Sequence, residues 1–177
     1  KVLHGLGQNF YVYDGKLNVF PHFSNTIFSI TPDSTTQRYH FYFGDYHFPD
    51  DEIFQKKEYN SQAIMSEIMN NSYVRLMAPY ETDEHLLVKY YVKRQVLLGI
   101  YNKKKHTAIN LDPEMVIDSL HLGTFPVPIG FNHNEFIGQL TLDIQQKNRI
   151  MIPELQKLMA DYSEDSNPIL IFYSLRS

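Results

Sequence analysis

Histidine is the residue type of this chain best suited to bind a metal ion, and the sequence contains eight of them. His40 and His47 lie seven positions apart, and His121 and His133 lie twelve apart. Neither spacing matches a recognised set of zinc ligands. Ligands can also converge from separate strands of a β-rich fold, so a metal site stays open as the alternative. We favour the simpler interpretation, in which these histidines occupy surface or half-buried strand positions.

Acidic side chains are the next candidates for chemistry, and they occur in short pairs. Asp50-Asp51 and Asp83-Glu84 lie in predicted turns, where solvated charge is the expected state. Glu81-Thr82 is interpreted as a turn-forming pair rather than as an acid catalyst. The sequence contains no Gly-x-Ser-x-Gly nucleophile elbow and no glycine-rich phosphate loop. We therefore predict no catalytic residue, no cofactor-binding residue and no metal ligand.

Composition limits the partners of the protein. The net charge of −4 over 177 residues argues against a nucleic-acid partner, which normally leaves a basic footprint. The one compact basic run, Lys103-Lys104-Lys105, is interpreted as a solvated hairpin turn. Cysteine is absent, which excludes disulfide bonds and thiolate metal sites. No apolar run approaches the roughly 18 residues that a transmembrane helix needs, and Lys1–Gly7 lacks the pattern of a signal peptide.

Short strands separated by turns are predicted for the first quarter of the chain. The predicted strands are Phe10–Tyr13, Leu17–Phe20, Thr26–Ile30 and Arg38–Phe43. Asp14-Gly15 is the strongest turn signal among them, because glycine accepts a positive φ. The 13 tyrosines and 12 phenylalanines favour pleated, half-buried surfaces. The pattern therefore predicts antiparallel hairpins.

A four-strand pattern between Tyr73 and Leu111 is the strongest architectural signal in the sequence. Its strands are predicted at Tyr73–Tyr80, Leu86–Val92, Gln95–Tyr101 and Thr107–Leu111. The short polar connections between them permit hairpins but not parallel crossovers. Four strands in a span of about 39 residues match the roughly 40–45 residues of a propeller blade. The sequence therefore predicts an antiparallel meander and, with it, a β-propeller.

Two short helices are predicted between the strands. The first runs from Ser61 to about Met69, and the second begins at Pro153, because proline is well placed at a first helical position. Their apolar stripes are expected to be buried. The side chains concerned are Ile64, Ile68, Leu155, Leu158 and Met159. Phe125–Ile129 is predicted to be an extended segment, because its two prolines cannot donate. Further strands are predicted at Glu135–Ile144 and Asn167–Leu175.

Four stretches of the chain carry the likeness to a known family. They are Asn25–Ile30, Arg38–Gly44 with Pro49 after it, Glu81-Thr82 ahead of Leu86-Leu87, and Asn167–Leu170 after the second helix. The first has a small polar residue followed by Thr-Ile-aromatic-x-Ile, with Phe28 where tyrosine is usual. The second is an alternating strand that ends in Phe-Gly. In this order the stretches resemble the six-bladed β-propeller proteins of Bacteroidetes-type bacteria.

The resemblance implies an all-β fold of about three blades of a six-bladed ring, with two short helices inserted between strands. The blades would span approximately residues 8–48, 73–111 and 115–177. Residues 1–177 would then form a single domain, the C-terminal half of the propeller, since six blades need roughly 250 residues. The resemblance also implies export, as a periplasmic, outer-membrane or cell-surface lipoprotein.

Three functions are compatible with this interpretation. We favour a non-enzymatic binding or scaffold module of an exported β-propeller protein, whose ligand is an unknown protein or small molecule. One alternative is a subunit of an outer-membrane uptake assembly. The other is a propeller hydrolase or lyase with a metal ion on the axis. Three blades alone would expose apolar faces, so self-association is expected as well.

Overall fold

The computed structural model describes residues 9–21, 24–49, 61–113, 125–140, 153, 157 and 168–175. The described residues form three sheets. The chain divides into two compact units. One unit consists of Lys1–Pro79 and Val88–Leu97, and the other of Tyr80–Leu87 and Leu98–Ser177.

The first sheet has four strands that follow one another in chain order. They are β1 (Phe10–Tyr13), β2 (Lys16–Val19), β3 (Thr26–Ile30) and β4 (Thr35–His40). Each strand pairs antiparallel with the next. In the first turn, Asp14 and Gly15 have φ angles of 49° and 67°, the two positive values that a type I′ hairpin requires. The antiparallel hairpins predicted from the sequence are confirmed here.

The end of β4 differs from its prediction. The sequence predicts a strand that continues to Phe43, whereas β4 ends at His40. The chain leaves the sheet at this point because a 3₁₀ helix, Gly44–Tyr46, follows closely. Gly44 has a φ of 58°, a left-handed value that glycine adopts without strain. The aromatic alternation therefore runs past the end of the strand.

A buried amide fixes the segment that follows the 3₁₀ helix. Asn25 Nδ2 donates to Phe48 O at 2.8 Å, and Asn25 Oδ1 accepts from the Phe48 N–H at 3.3 Å. Both residues are buried, and an unsatisfied buried polar group costs about 1–3 kcal/mol. The Phe48 ring packs edge-on against Tyr73, with 5.7 Å between centroids. This part of the first unit is thus held by polar and aromatic contacts together.

One α-helix is described along its whole backbone, α1 (Ser61–Asn70). It confirms the helix predicted at Ser61–Met69. Gln62, Ser66 and Asn70 are exposed at intervals of four residues, as expected of the polar face of an amphipathic helix. The predicted burial of Ile64 and Ile68 lies outside the described side chains.

The second predicted helix is described at two positions only. Pro153 and Lys157 are both helical, and both are exposed. The predicted burial of its apolar stripe lies outside the described residues.

The second sheet is the predicted meander. Its strands are β5 (Arg75–Glu81), β6 (His85–Val92), β7 (Gln95–Asn102) and β8 (Thr107–Leu111). Their order in the sheet is β5-β6-β7-β8, so neighbours in sequence are neighbours in space. Lys93 and Arg94 form the β6–β7 turn with positive φ angles of 47° and 67°. The prediction for Tyr73–Leu111 is confirmed, with strand bounds shifted by two residues or fewer.

The third sheet has three described strands, β9 (Pro128–Phe131), β10 (Phe136–Leu140) and β11 (Ile169–Tyr173). Their order is β11-β10-β9, and both pairings are antiparallel. The sequence predicts an extended segment over Phe125–Ile129, and β9 begins within it at Pro128. Pro128 is tolerated at the first residue of β9, where the missing N–H of proline is not needed for strand pairing. Pro126 lies before the strand, and its carbonyl accepts a hydrogen bond from the Tyr173 hydroxyl at 2.6 Å.

The core of the second unit is built from alternate residues of its strands. Leu87, Leu98, Ile100 and Phe136 are buried together. Half-buried side chains pack around them: Tyr80, Leu111, Phe125, Val127, Phe131, Tyr173 and Leu175. Leu98 and Ile100 are two residues apart on β7, so they share one face of the sheet. Polar side chains continue this face of the sheet along the strands, and they form the candidate site described below.

The described residues therefore form three antiparallel sheets with one described helix and a 3₁₀ turn. This confirms the all-β class that the sequence predicts. Within the described part of the chain, no helix is long and apolar enough to cross a membrane.

Candidate functional site

One face of the second sheet carries a row of polar side chains at the end of the apolar core. Asn102 on β7 lies opposite Thr107 on β8, and Ile100 lies opposite Ile109. On the other side of Asn102 lies His85, the first residue of β6, with 3.1 Å between Asn102 Nδ2 and His85 Nε2. Residues two apart share a face of a strand. The polar row therefore lies directly beside the apolar row.

These two rows line a cleft of about 250 Å³ in the second unit. Its polar lining is His85, Asn102, Lys105 and Thr107, and its apolar lining is Ile100, Ile109 and Leu175. Lys105 comes from the turn between β7 and β8, and Leu175 follows β11. The cleft thus combines hydrogen-bonding groups with aliphatic surface.

The orientation of Asn102 sets the tautomer of His85. Asn102 Oδ1 accepts the backbone N–H of Lys105 at 2.8 Å, so the amide nitrogen faces the imidazole. His85 Nε2 therefore accepts a hydrogen bond from Asn102, and Nδ1 carries the proton of the neutral ring. Within the described part of the chain, this Nδ1–H has no hydrogen-bonding partner. His85 is one of the residues that line the cleft.

Burial keeps the His85 ring uncharged. The residue is only 4% exposed, and burial lowers the pKa of its imidazole; Glu84 opposes this shift and Lys103 adds to it. A neutral imidazole offers one N–H donor and no formal charge. At neutral pH the cleft therefore presents His85 as a hydrogen-bond donor rather than as a cation.

The turn before β6 positions His85. The Thr82 N–H donates to His85 O at 2.8 Å, and Thr82 Oγ1 accepts the His85 N–H at 3.1 Å. Lys103 Nζ then donates to Thr82 O at 2.6 Å. Thr82 thus forms the predicted turn, whereas Glu81 ends β5 and is fully buried. Asp83 and Glu84, within the same turn, are exposed, as the sequence predicts.

Lys103 forms an ion pair inside the protein. Its Nζ lies 2.7 Å from Glu81 Oε1, and the two side chains are 19% and 0% exposed. The prediction of a solvated Lys103-Lys104-Lys105 turn is therefore wrong for Lys103 and correct for Lys104 and Lys105, which are exposed. The reason is that a buried carboxylate needs a cation beside it. This pair fixes the turn that carries His85.

The histidine pair His40 and His47 does come together in the first unit, with 5.6 Å between ring centroids. The Thr26 hydroxyl lies 2.9 Å from His40 Nδ1, and Asn25 Nδ2 lies 3.0 Å from His47 Nε2. Because Asn25 is oriented by the backbone of Phe48, His47 Nε2 accepts this hydrogen bond and Nδ1 carries the proton. Neither nitrogen of His47 then has a free lone pair for a metal ion.

The other histidine pair is only half described. His133 is exposed in the β9–β10 turn, with Nδ1 3.8 Å from Asp83 Oδ1. The Asp83 N–H also donates to His133 O at 2.8 Å. His121 lies outside the described residues, as does the Asp50-Asp51 pair. Among the residues that the structure describes, no group of three or more His, Asp or Glu side chains could hold a metal ion.

Sequence reasoning missed His85, Asn102 and Lys105 as site residues. A usable signal was present in the period-two pattern of the strands. Asn102 follows Ile100 at the same spacing by which Ile100 follows Leu98, so an inward-facing polar residue ends an apolar row. A polar side chain at such a position marks the place where a core face can become a binding surface.

Comparison with known proteins gives the family and the fold of this chain. The model of a domain of unknown function, DUF4934, matches residues 2–174. The crystal structure of a protein from Bacteroides fragilis NCTC 9343, assigned as exported, covers 96% of this chain with a TM-score of 0.76 and 18% identity. This chain covers 50% of that protein and so spans about half its length. The likeness shows a shared fold. No curated protein matches the chain.

Proposed function

This chain belongs to the family of the domain of unknown function DUF4934, and we propose that it is a non-enzymatic binding module of an exported bacterial β-propeller protein. The observation that carries the proposal is the cleft beside His85, most of whose lining side chains lie on the neighbouring strands β6, β7 and β8. Sites built on strands are held more precisely than sites on loops. A surface organised in advance in this way is suited to binding a small ligand.

The state of the titratable groups favours binding over catalysis. His85 Nε2 already accepts a hydrogen bond from Asn102, so it cannot take a proton from a substrate unless that bond breaks. The buried carboxylate of Glu81 is held by Lys103 at 2.7 Å. General acid–base catalysis needs a group within reach of the proton that it moves. These residues instead fix the positions of donors.

The order of the sheets supports the propeller part of the proposal. Among the described residues, three sheets follow one another along the chain, and the two four-stranded sheets are meanders, the form that propeller blades take. We propose that they are blades, at approximately residues 8–48, 73–111 and 115–177, within a single domain that forms half of a six-bladed ring. An experimental structure of the complete protein that carries this chain would test this. Any arrangement other than six sheets around an axis would contradict it.

Export is the cellular part of the proposal. It is supported by the likeness to a Bacteroides fragilis protein that is assigned as exported, and we propose a periplasmic or cell-surface lipoprotein. Fractionation of the bacterium that produces the protein, with protease added to intact cells, would test this. Recovery in the cytoplasmic fraction would contradict export.

Ligand binding at the cleft can be tested by NMR on the 177-residue chain. The probes are butyrate, butanamide, 1-butanol, glucose and inorganic phosphate, each at millimolar concentration. We expect at least one probe to shift the ring signals of His85 and the amide signal of Lys105. Both residues line the cleft, so their signals report on its occupancy.

Two variants of one strand make the test specific. Thr107→Tyr places a large side chain in the cleft lining, whereas Ala108→Tyr places it one residue along β8, on the opposite face. Both positions are exposed, and tyrosine suits a strand. Binding should be lost in Thr107→Tyr and kept in Ala108→Tyr. If no probe shifts the His85 signals, or if both variants bind alike, the binding function is wrong.

A further inference from the structure

We propose that the cleft beside His85 binds a small aliphatic monocarboxylate, with the carboxylate at the polar row and the alkyl chain against the apolar row. This inference rests on the proposed binding function and names its ligand class. It commits to a small molecule because the cleft, at about 250 Å³, is below the roughly 300–1,000 Å³ of pockets that hold drug-sized ligands.

Three polar groups of the cleft can each donate a hydrogen bond to a ligand. His85 Nδ1–H is a donor because its other nitrogen accepts from Asn102. Lys105 contributes an exposed ammonium group, and Thr107 contributes a hydroxyl. Asn102 is already engaged through both ends of its amide. A ligand that satisfies these groups must therefore offer acceptors.

Charge favours an anionic acceptor over a neutral one. Among the described residues that line the cleft, Lys105 carries a positive charge and none is acidic. Lys103, near His85, has its charge matched by Glu81 at 2.7 Å. Glu84, in the turn before β6, is exposed and solvated. A carboxylate accepts from several donors at once, and charge-assisted hydrogen bonds are stronger than neutral ones.

The aliphatic lining distinguishes a carboxylate with an alkyl chain from a bare inorganic anion. Ile109 is 60% exposed and lies in register with Ile100, which is buried. Leu175 completes this wall. An alkyl chain placed here removes apolar surface from water, which is favourable in proportion to the area covered. Inorganic phosphate would meet the donors but leave the wall exposed.

The decisive comparison is between butyrate and butanamide, which have the same number of non-hydrogen atoms and differ in charge. Each is titrated at pH 7.5 into the 177-residue chain, and the His85 ring and Lys105 amide signals are followed by NMR. We expect butyrate to bind at least about threefold more tightly, as one partly exposed ion pair allows. Sodium chloride at about 0.5 M should reduce this preference, because salt screens an exposed cation.

Two adjacent lysines provide a matched pair of variants. Lys105→Ala should weaken butyrate binding about two- to fivefold and leave butanamide binding unchanged. Lys104→Ala removes an equally exposed charge that does not line the cleft, and it should change neither. Thr107→Val removes one hydroxyl from a strand position and should weaken butyrate binding about two- to tenfold. Thermal melts will show whether each variant is folded.

The outcomes separate this inference from the binding function on which it rests. If butanamide binds at the cleft as tightly as butyrate, or if Lys105→Ala leaves butyrate binding unchanged, the carboxylate assignment is wrong and the binding function stands. A short peptide ending in leucine that binds the cleft more tightly than butyrate would overturn the small-molecule assignment. If no probe reaches the cleft, both proposals fail.

Discussion

Replacing Lys103 by methionine should destabilise the protein far more than the same change at its neighbour. Methionine keeps an unbranched apolar side chain of similar length but removes the ammonium group. The fully buried carboxylate of Glu81 then loses the cation at 2.7 Å, and Thr82 O loses a donor at 2.6 Å. A buried charge that loses its partner is among the few causes of large single-residue effects.

The expected magnitude follows from the burial of the two partners. Removing one partner of a buried ion pair costs about 3–5 kcal/mol. The Lys103 side chain is 19% exposed, so water screens the pair in part, and we expect a loss of about 2–4 kcal/mol in the free energy of unfolding. For a chain of this length, each 1 kcal/mol shifts Tm by roughly 2–4 °C. The Tm of Lys103→Met should therefore fall by about 5–15 °C.

Urea denaturation followed by far-UV circular dichroism measures this loss. Lys104→Met is the matched control, because Lys104 is exposed, and its effect should stay within about 0.5 kcal/mol. The double variant Glu81→Gln with Lys103→Met removes both charges and should recover at least half of the loss, since no unpaired buried charge remains. Equal stability of Lys103→Met and Lys104→Met would refute the reasoning, as would a double variant no more stable than Lys103→Met alone.

Three further predictions concern packing and pH. Gly138→Ala should cost about 1–3 kcal/mol, because its Cβ would lie 2.9 Å from the Cβ of Pro126, whereas Gly130→Ala, with its nearest atom at 3.7 Å, should be tolerated in the same urea assay. Leu98→Ala should cost about 2–5 kcal/mol in that assay, because the side chain is fully buried. Burial lowers the pKa of His85 from its ordinary value of 6.5. The unfolded chain therefore binds a proton that the folded ring resists, and the free energy of unfolding should fall as the pH drops below about 6.5. His85→Gln should flatten this part of the pH profile.

The sheets could be predicted because their causes are local. The meander between Tyr73 and Leu111 rests on period-two alternation and on short polar connections, both visible in a single stretch of sequence. The Asp14-Gly15 turn needed only the known preference of glycine for positive φ. The predicted end of β4 at Phe43 was wrong, because the strand ends at His40 and a 3₁₀ helix follows. Aromatic alternation alone does not indicate such a helix.

The site could not be predicted because its contacts cross strands. Lys103 and Glu81 lie on opposite sides of two complete strands in the sequence. The sequence of a polar turn predicts that its lysine is solvated. No residue near Lys103 in the sequence indicates that a buried carboxylate lies beside it in the fold. The His85–Asn102 pair likewise depends on the register between β6 and β7. Period two indicates which face a side chain takes, but not which side chain it meets.

A chain of polar contacts links the buried ion pair to His85. Glu81 forms an ion pair with Lys103, and the Lys103 ammonium donates to the Thr82 carbonyl. The Thr82 hydroxyl in turn accepts the His85 N–H across the turn from Thr82 to His85. At the far end of β7, Asn102 then sets the tautomer of that imidazole. Apolar residues could fill the same volume, but they could not orient a carbonyl or a ring nitrogen. The ion pair therefore helps to position the His85 ring at the end of the core face.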